Sequence, residues 1–172
     1  AAELILGGSI LADGAPQNKP EPAAASSRKA TQGHRRGTAL ADGGVDAIML
    51  ETFSHLEELL LAADSVATTG LPVFALCTAD AEGETFYRRP IEEVVAALNA
   101  SAAVHAIGTN CGTGPAHLYS AAERAISLTD KPFIMMPNAG QPKQVDGRML
   151  CLATPEYFAE YSKRFIELGA RG

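Results

Sequence analysis

The chain has 172 residues, 47% of them hydrophobic and 20% charged, which is enough apolar material for one globular domain with its own core. A formal net charge of −6 and a pI near 5.2 argue against nucleic acid or an anionic membrane surface as partner, since both recruit a basic face. No apolar run approaches the roughly 18 residues that span a bilayer, and three widely spaced cysteines make no disulfide framework.

Short β-rich runs alternate with amphipathic helical ones. The first predicted strand is Leu4 to Ile10. Residues 12–33 follow, rich in Pro, Ala and Ser with no helical or strand period, and read as a long loop. The second strand is Asp46 to Glu51. Ser54-His55-Leu56-Glu57 has the form of a capping box opening a helix with Leu56, Leu59, Leu60, Ala63 and Val66 at helical spacing, ended by Gly70. The third strand is Pro72 to Thr78. Pro90 suits the first turn of a helix that buries Ile91, Val94, Val95 and Leu98. Val104 to Thr109 and Phe133 to Pro137 are the fourth and fifth strands. Thr154 and Pro155 open the last helix as N-cap and first residue, with Phe158, Tyr161, Phe165 and Leu168 along one face and Lys163 and Arg164 near its end.

The strands are almost continuously apolar, as parallel strands buried on both faces are. Strict β/α alternation leaves two architectures, a doubly wound flavodoxin-like sheet or a (β/α)8 barrel. The length alone favours the sheet, because a barrel typically takes about 250 residues.

Chemistry gathers at strand ends. Cys111 lies in Val104-His105-Ala106-Ile107-Gly108-Thr109-Asn110-Cys111-Gly112-Thr113-Gly114-Pro115, where an apolar strand runs into a Gly-rich loop and a helix start. A thiolate there faces the positive end of the helix and serves as metal ligand or nucleophile; the bland reading is a small buried hydrophobe. A nucleophile needs a base, for which His117 is the candidate, while His105 reads as packed. The same loop resembles a phosphate cradle in composition but lacks the lysine of a P-loop. Glu51 closes the second strand and either holds a substrate ammonium or sits as a solvated acid at a helix start. Asn138, in Pro-Asn-Ala-Gly, is either a turn residue or an amide aimed at the site. Cys77 and Cys151 read as packing, and the Arg35-Arg36 and Arg88-Arg89 pairs as solvated surface.

Val45-Asp46-Ala47-Ile48-Met49-Leu50-Glu51-Thr52-Phe53, Gly108-Thr109-Asn110-Cys111 and Pro137-Asn138-Ala139-Gly140 closely resemble the homocysteine S-methyltransferase family. Gly7-Gly8-Ser9-Ile10 and Leu11-Ala12-Asp13-Gly14 look like its third barrel strand and loop. Val145-Asp146-Gly147-Arg148 and Thr154-Pro155-Glu156-Tyr157-Phe158 look most like bacterial versions fused to a methylenetetrahydrofolate reductase domain. The resemblance implies a partial (β/α)8 barrel of about strands three to seven. It also implies zinc held by three thiolates, of which Cys111 is the first. The other two belong to an adjacent-cysteine run in an eighth strand, which this sequence does not contain. By the same analogy Glu51 binds the homocysteine ammonium and Asn138 lines the zinc mouth. The partners implied are homocysteine, a methyl donor and a fused reductase or donor-binding domain, with association through open barrel edges.

The expected activity is zinc-dependent methyl transfer to homocysteine, forming methionine, with this chain inactive alone. The alternatives are a non-catalytic fragment with a structural or interaction role, and a small flavodoxin-like domain binding a phosphorylated ligand. The opening Ala-Ala-Glu-Leu-Ile-Leu lacks the basic region of a signal peptide, and the expected location is the cytoplasm.

Overall fold

Five parallel strands lie side by side in the order of their appearance in the chain: β1 (Gly7–Leu11), β2 (Ala47–Phe53), β3 (Val73–Cys77), β4 (Ala106–Cys111) and β5 (Phe133–Pro137). The computed structural model describes residues 7–11, 23–140, 142–151 and 153–172, with backbone alone at 7–11 and 23–27. Helices α1 (Ala23–Asp42), α2 (Leu56–Ala67), α3 (Ile91–Ala100) and α4 (Pro115–Ala125) make the crossovers. A two-stranded hairpin, β6 (Lys143–Val145) and β7 (Arg148–Leu150), precedes α5 (Pro155–Leu168).

Strand order decides between the two architectures. A doubly wound sheet reverses direction at a switch point, whereas a barrel adds each strand on the same side of the last. The unbroken order β1-β2-β3-β4-β5 is that of a barrel wall, so the chain is a partial (β/α)8 barrel and the flavodoxin-like alternative falls.

The register assigns the two faces. Ile48, Leu50, Val73, Ala75, Cys77, Ile107, Phe133 and Met135 share one side by strand alternation, and all are buried in one core with Leu59, Ala63 and Val66 of α2, Ile91, Val94, Val95 and Leu98 of α3, and Leu118, Ala121 and Ala122 of α4. On the other side, the barrel's inner face, Met49, Phe74 and Ile134 are only half-buried and Met136 is 40% exposed. Beside β5 the chain end takes up the next place in the wall. The Arg171 N–H donates to the Phe133 carbonyl at 2.8 Å, and the Met135 N–H donates to the Gly172 carbonyl at 2.8 Å.

Several expectations need correction. The segment 12–33 is not a loop throughout, because α1 begins at Ala23. Its alanines, Arg28, Lys29 and Gln32 are good helix formers, and Gly33 and Gly37 let it approach Ser65 and Val66 of α2 closely. The rest of that loop, the Asp13-Gly14-Ala15 stretch within it and Leu4 to Leu6 lie outside the described residues. The capping box does not form; His55 is the N-cap of α2 without a side-chain bond, and Glu57 and Glu58 complement the helix dipole instead. Pro90 is the N-cap of α3, one residue ahead of its first turn. Thr154 caps α5 as expected, accepting from the Tyr157 N–H at 3.3 Å. Of that helix's apolar stripe only Phe165 is buried, and Arg164 lies over the Tyr161 ring at 5.0 Å rather than at the helix's last turn.

Gly108 marks the tightest approach between strands, since a Cβ there would run into the Ile134 carbonyl. Gly108→Ala is therefore expected to cost about 1–3 kcal/mol by overpacking. Urea unfolding of the two chains measures it, and equal stability would contradict this packing.

Candidate functional site

Parallel strands put all their C-terminal ends on one rim, which is where barrel enzymes do their chemistry. On this rim β2 ends in Glu51-Thr52-Phe53, β4 in Asn110-Cys111 and β5 in Pro137, with Asn138 next. Glu51 is half-buried, Cys111 half-buried and Asn138 exposed.

Two residues of the rim sit in the left-handed region that favours glycine: Thr52 at φ 66° and Cys111 at φ 63°. For side-chain-bearing residues such a backbone costs of order 1–3 kcal/mol each and persists only where neighbours impose it. The neighbour here is Asn110, which is 2% exposed. Its carboxamide oxygen accepts from the Thr52 N–H at 2.9 Å, and its Nδ2 donates to Thr52 Oγ1 at 2.8 Å. Nδ2 also lies 3.4 Å from Cys111 Sγ, and Thr52 Oγ1 lies 3.5 Å from the same sulfur.

The strain has a geometric consequence. Leu50 pairs with Ala75 and Phe53 with Cys77, so β2 spends one more residue than β3 over that interval, a bulge. The bulge returns Phe53 to the helix-facing core while Thr52 turns to Asn110. Cys111 would, by alternation, point like Thr109 and Ile107 towards the helices; at positive φ it leaves the pleat and its sulfur meets Thr52 and Asn110.

Asn138 ties two loops together. Its Nδ2 donates to the Gly112 carbonyl at 2.6 Å, its Oδ1 accepts from the Gly140 N–H at 3.1 Å, and its backbone N–H donates to the Cys111 carbonyl at 3.4 Å. Gly114 at φ 123° is the N-cap of α4, close against Gly140. Glu51, Cys111 and Asn138 are thus brought to one rim, linked through Thr52 and Gly112.

Other candidates separate from it. The hydrogen bonds at Cys111 Sγ come from Thr52 and Asn110, not from His117, so no Cys–His pair forms. His105 is exposed rather than packed, and its Nδ1 accepts from the Val73 N–H at 3.1 Å. Cys151 is exposed directly after β7, not in packing. Arg89 is more than solvated surface, pairing with Glu57 at 2.6 Å and Glu93 at 3.4 Å. Cys77 is core as expected, and burial pushes its thiol from its ordinary 9.0 up to about 12. Sequence reasoning missed Asn110 and Thr52. The signal was available in part: a polar residue beside a strand-end cysteine, with Thr directly after Glu51.

The sequence model of the homocysteine S-methyltransferase family matches residues 4–172. A 109-residue stretch, 60% of the chain, is 33% identical to the methionine synthase of Mycobacterium leprae and 36% identical to that of Mycobacterium tuberculosis. That stretch is 9% of the length of each synthase. Among solved structures, the apo homocysteine methyltransferase MmuM of Escherichia coli superposes with a TM-score of 0.74 at 23% identity, over 98% of this chain and 56% of that one. Its metallated form gives 0.63 over 83% of this chain and 45% of that one. At this identity the likeness speaks for the fold.

The thiols provide a direct check of burial. Cys111 and Cys151 are expected to react with a disulfide reagent in the native chain at pH 8, and Cys77 only after unfolding. Because the folded chain keeps the Cys77 proton to about pH 12 and the unfolded chain loses it near 9, stability falls as pH rises through that window. Three equally fast thiols would contradict the packing of β3.

Proposed function

The chain belongs to the homocysteine S-methyltransferase family, and on that premise we propose that it forms the central wall of a barrel that methylates the sulfur of homocysteine to give methionine. The observation that carries this reading is the placing of Glu51, Cys111 and Asn138 on one rim, with Cys111 at positive φ and its sulfur against Thr52 and Asn110. In the reaction the substrate sulfur attacks the methyl carbon of the donor, an S–C bond forms, the bond from methyl to donor breaks, and the thiol proton passes to solvent. The Glu51 carboxylate holds the substrate ammonium by a charge-assisted hydrogen bond. Asn138 shapes the mouth by fixing the loops after β4 and β5.

Zinc, when bound, supplies a Lewis acid that favours the thiolate of the substrate at neutral pH. Cys111 suits one ligand position, being a thiol at the rim and not sealed in the core. A catalytic zinc takes three protein ligands, and among the described residues no group of three or more His, Cys, Asp or Glu gathers. The donor set among the described residues is therefore incomplete, and in this reading the remaining ligands lie outside them. Alone, the chain is inactive.

The parallel edges of the sheet account for the partners in this reading: further barrel strands, and a fused reductase or donor-binding domain that brings the methyl group. Among the described residues no helix is long and apolar enough to cross a membrane. The three free cysteines fit a reducing cytoplasm.

Two measurements test this. Zinc titration of the chain, with and without a strand peptide carrying adjacent cysteines, is expected to show stoichiometric metal only with the peptide, and none after Cys111→Ser. No zinc in either case would replace the enzyme reading by that of a non-catalytic fragment. Sedimentation of the isolated chain is expected to show self-association that the peptide reduces; a monodisperse monomer would remove the role given to the open edges.

A further inference from the structure

We infer that Asn110 is a positioning residue, whose carboxamide locks Thr52 in its left-handed backbone and thereby holds the Cys111 sulfur at the rim. The inference deepens the proposed function, on which its metal readout rests, and concerns residues that are neither thiolate nor substrate ligands.

Three observations converge. Asn110 is buried at the very end of a strand, where a polar side chain is costly unless its groups are satisfied. Its oxygen and nitrogen grip the backbone and the hydroxyl of one residue, Thr52, on a strand that is not its sheet neighbour: β3 lies between β2 and β4. The gripped residue and the next residue along β4, Cys111, both hold positive φ. A β-branched residue does not enter that region without being held, because its Cβ crowds its own backbone. The grip spans β3, so it acts where the register of β2 against β3 shifts between Leu50 and Phe53.

The consequence is a chain of dependence. Without the carboxamide, Thr52 relaxes towards extended backbone and the bulge shifts. Glu51 turns with it, and Cys111 Sγ loses both polar neighbours. Asn110 acts on the site through Thr52 and Cys111 and is not itself a catalytic residue.

The test compares Asn110→Ala, Thr52→Gly and the double variant, in the chain alone and in the assembly with the adjacent-cysteine strand. Amide hydrogen exchange at position 52 reports the grip without any metal, and is expected to quicken roughly tenfold in Asn110→Ala. Zinc affinity of the assembly, by chelator competition, is expected to fall about 10–100-fold in Asn110→Ala. Glycine adopts positive φ freely, so the double variant is expected to recover most of that affinity although its residue-52 amide still exchanges fast.

This recovery separates positioning from mere structural support, which glycine would not restore. A folded Asn110→Ala with unchanged zinc affinity overturns the inference, as does a double variant no better than the single one. If Asn110→Ala fails to fold, a folded double variant supports the lock and an unfolded one overturns it. If the unsubstituted assembly binds no zinc, the proposed function falls; faster exchange at position 52 in Asn110→Ala then supports the lock, and unchanged exchange overturns it.

Discussion

The arrangement depends on one constraint: five parallel strands in sequential order, each placing its C-terminal end on the same rim. Every crossover helix then lies on one side, and the strand residues facing it are excluded from water. That burial is the main stabilising term, with side chains such as Ile48, Leu50, Ile107 and Phe133 each worth roughly 1.5–3 kcal/mol on transfer from water. Because side chains alternate with period two, the same register that buries this set commits Met49, Phe74, Ile134 and Met136 to the opposite face. That face is mixed: Leu76, Ala106 and Asn110 are buried on it, while Met136 is exposed.

The rim shows the opposite economy. There the structure keeps two left-handed residues and a bulge, none of which helps stability. Asn110 satisfies its polar groups by holding them in place, and the sulfur of Cys111 emerges from the strand as a result. Burial below and strain above are complementary: the rigid, well-packed lower strands supply a base against which the strained ends can be maintained.

The same geometry sets what this wall of strands offers a site. A barrel site draws its residues from many strand ends, so a wall of five strands contributes only part of the constellation. Cys111 ends β4, and Glu51 lies near the end of β2. The backbone bonds from Arg171 to Phe133 and from Met135 to Gly172 pair the segment after α5 with β5.

Much was legible in the sequence. Apolar runs bounded by turn residues located the five strands, helical spacing located the buried faces of α2 and α3, and the placing of Glu51, Cys111 and Asn138 near strand ends was legible because each closes or follows an apolar run. The start of α1 was not legible, because its helix-forming residues carry no apolar stripe; its docking on α2 at Gly33 and Gly37 is a tertiary contact. Neither the loss of the capping box at Ser54 nor the exposure of Cys151 could be read locally, since each depends on where the chain meets the sheet. The choice between sheet and barrel needed strand order, which periodicity does not encode. Above all, the grip of Asn110 on Thr52 joins residues 58 apart across an intervening strand. Sequence determined which residues would stand at strand ends, because hydrophobic runs and turn residues are local. Only the tertiary structure decided which of those ends touch, because that follows from register and from strain imposed by non-neighbours.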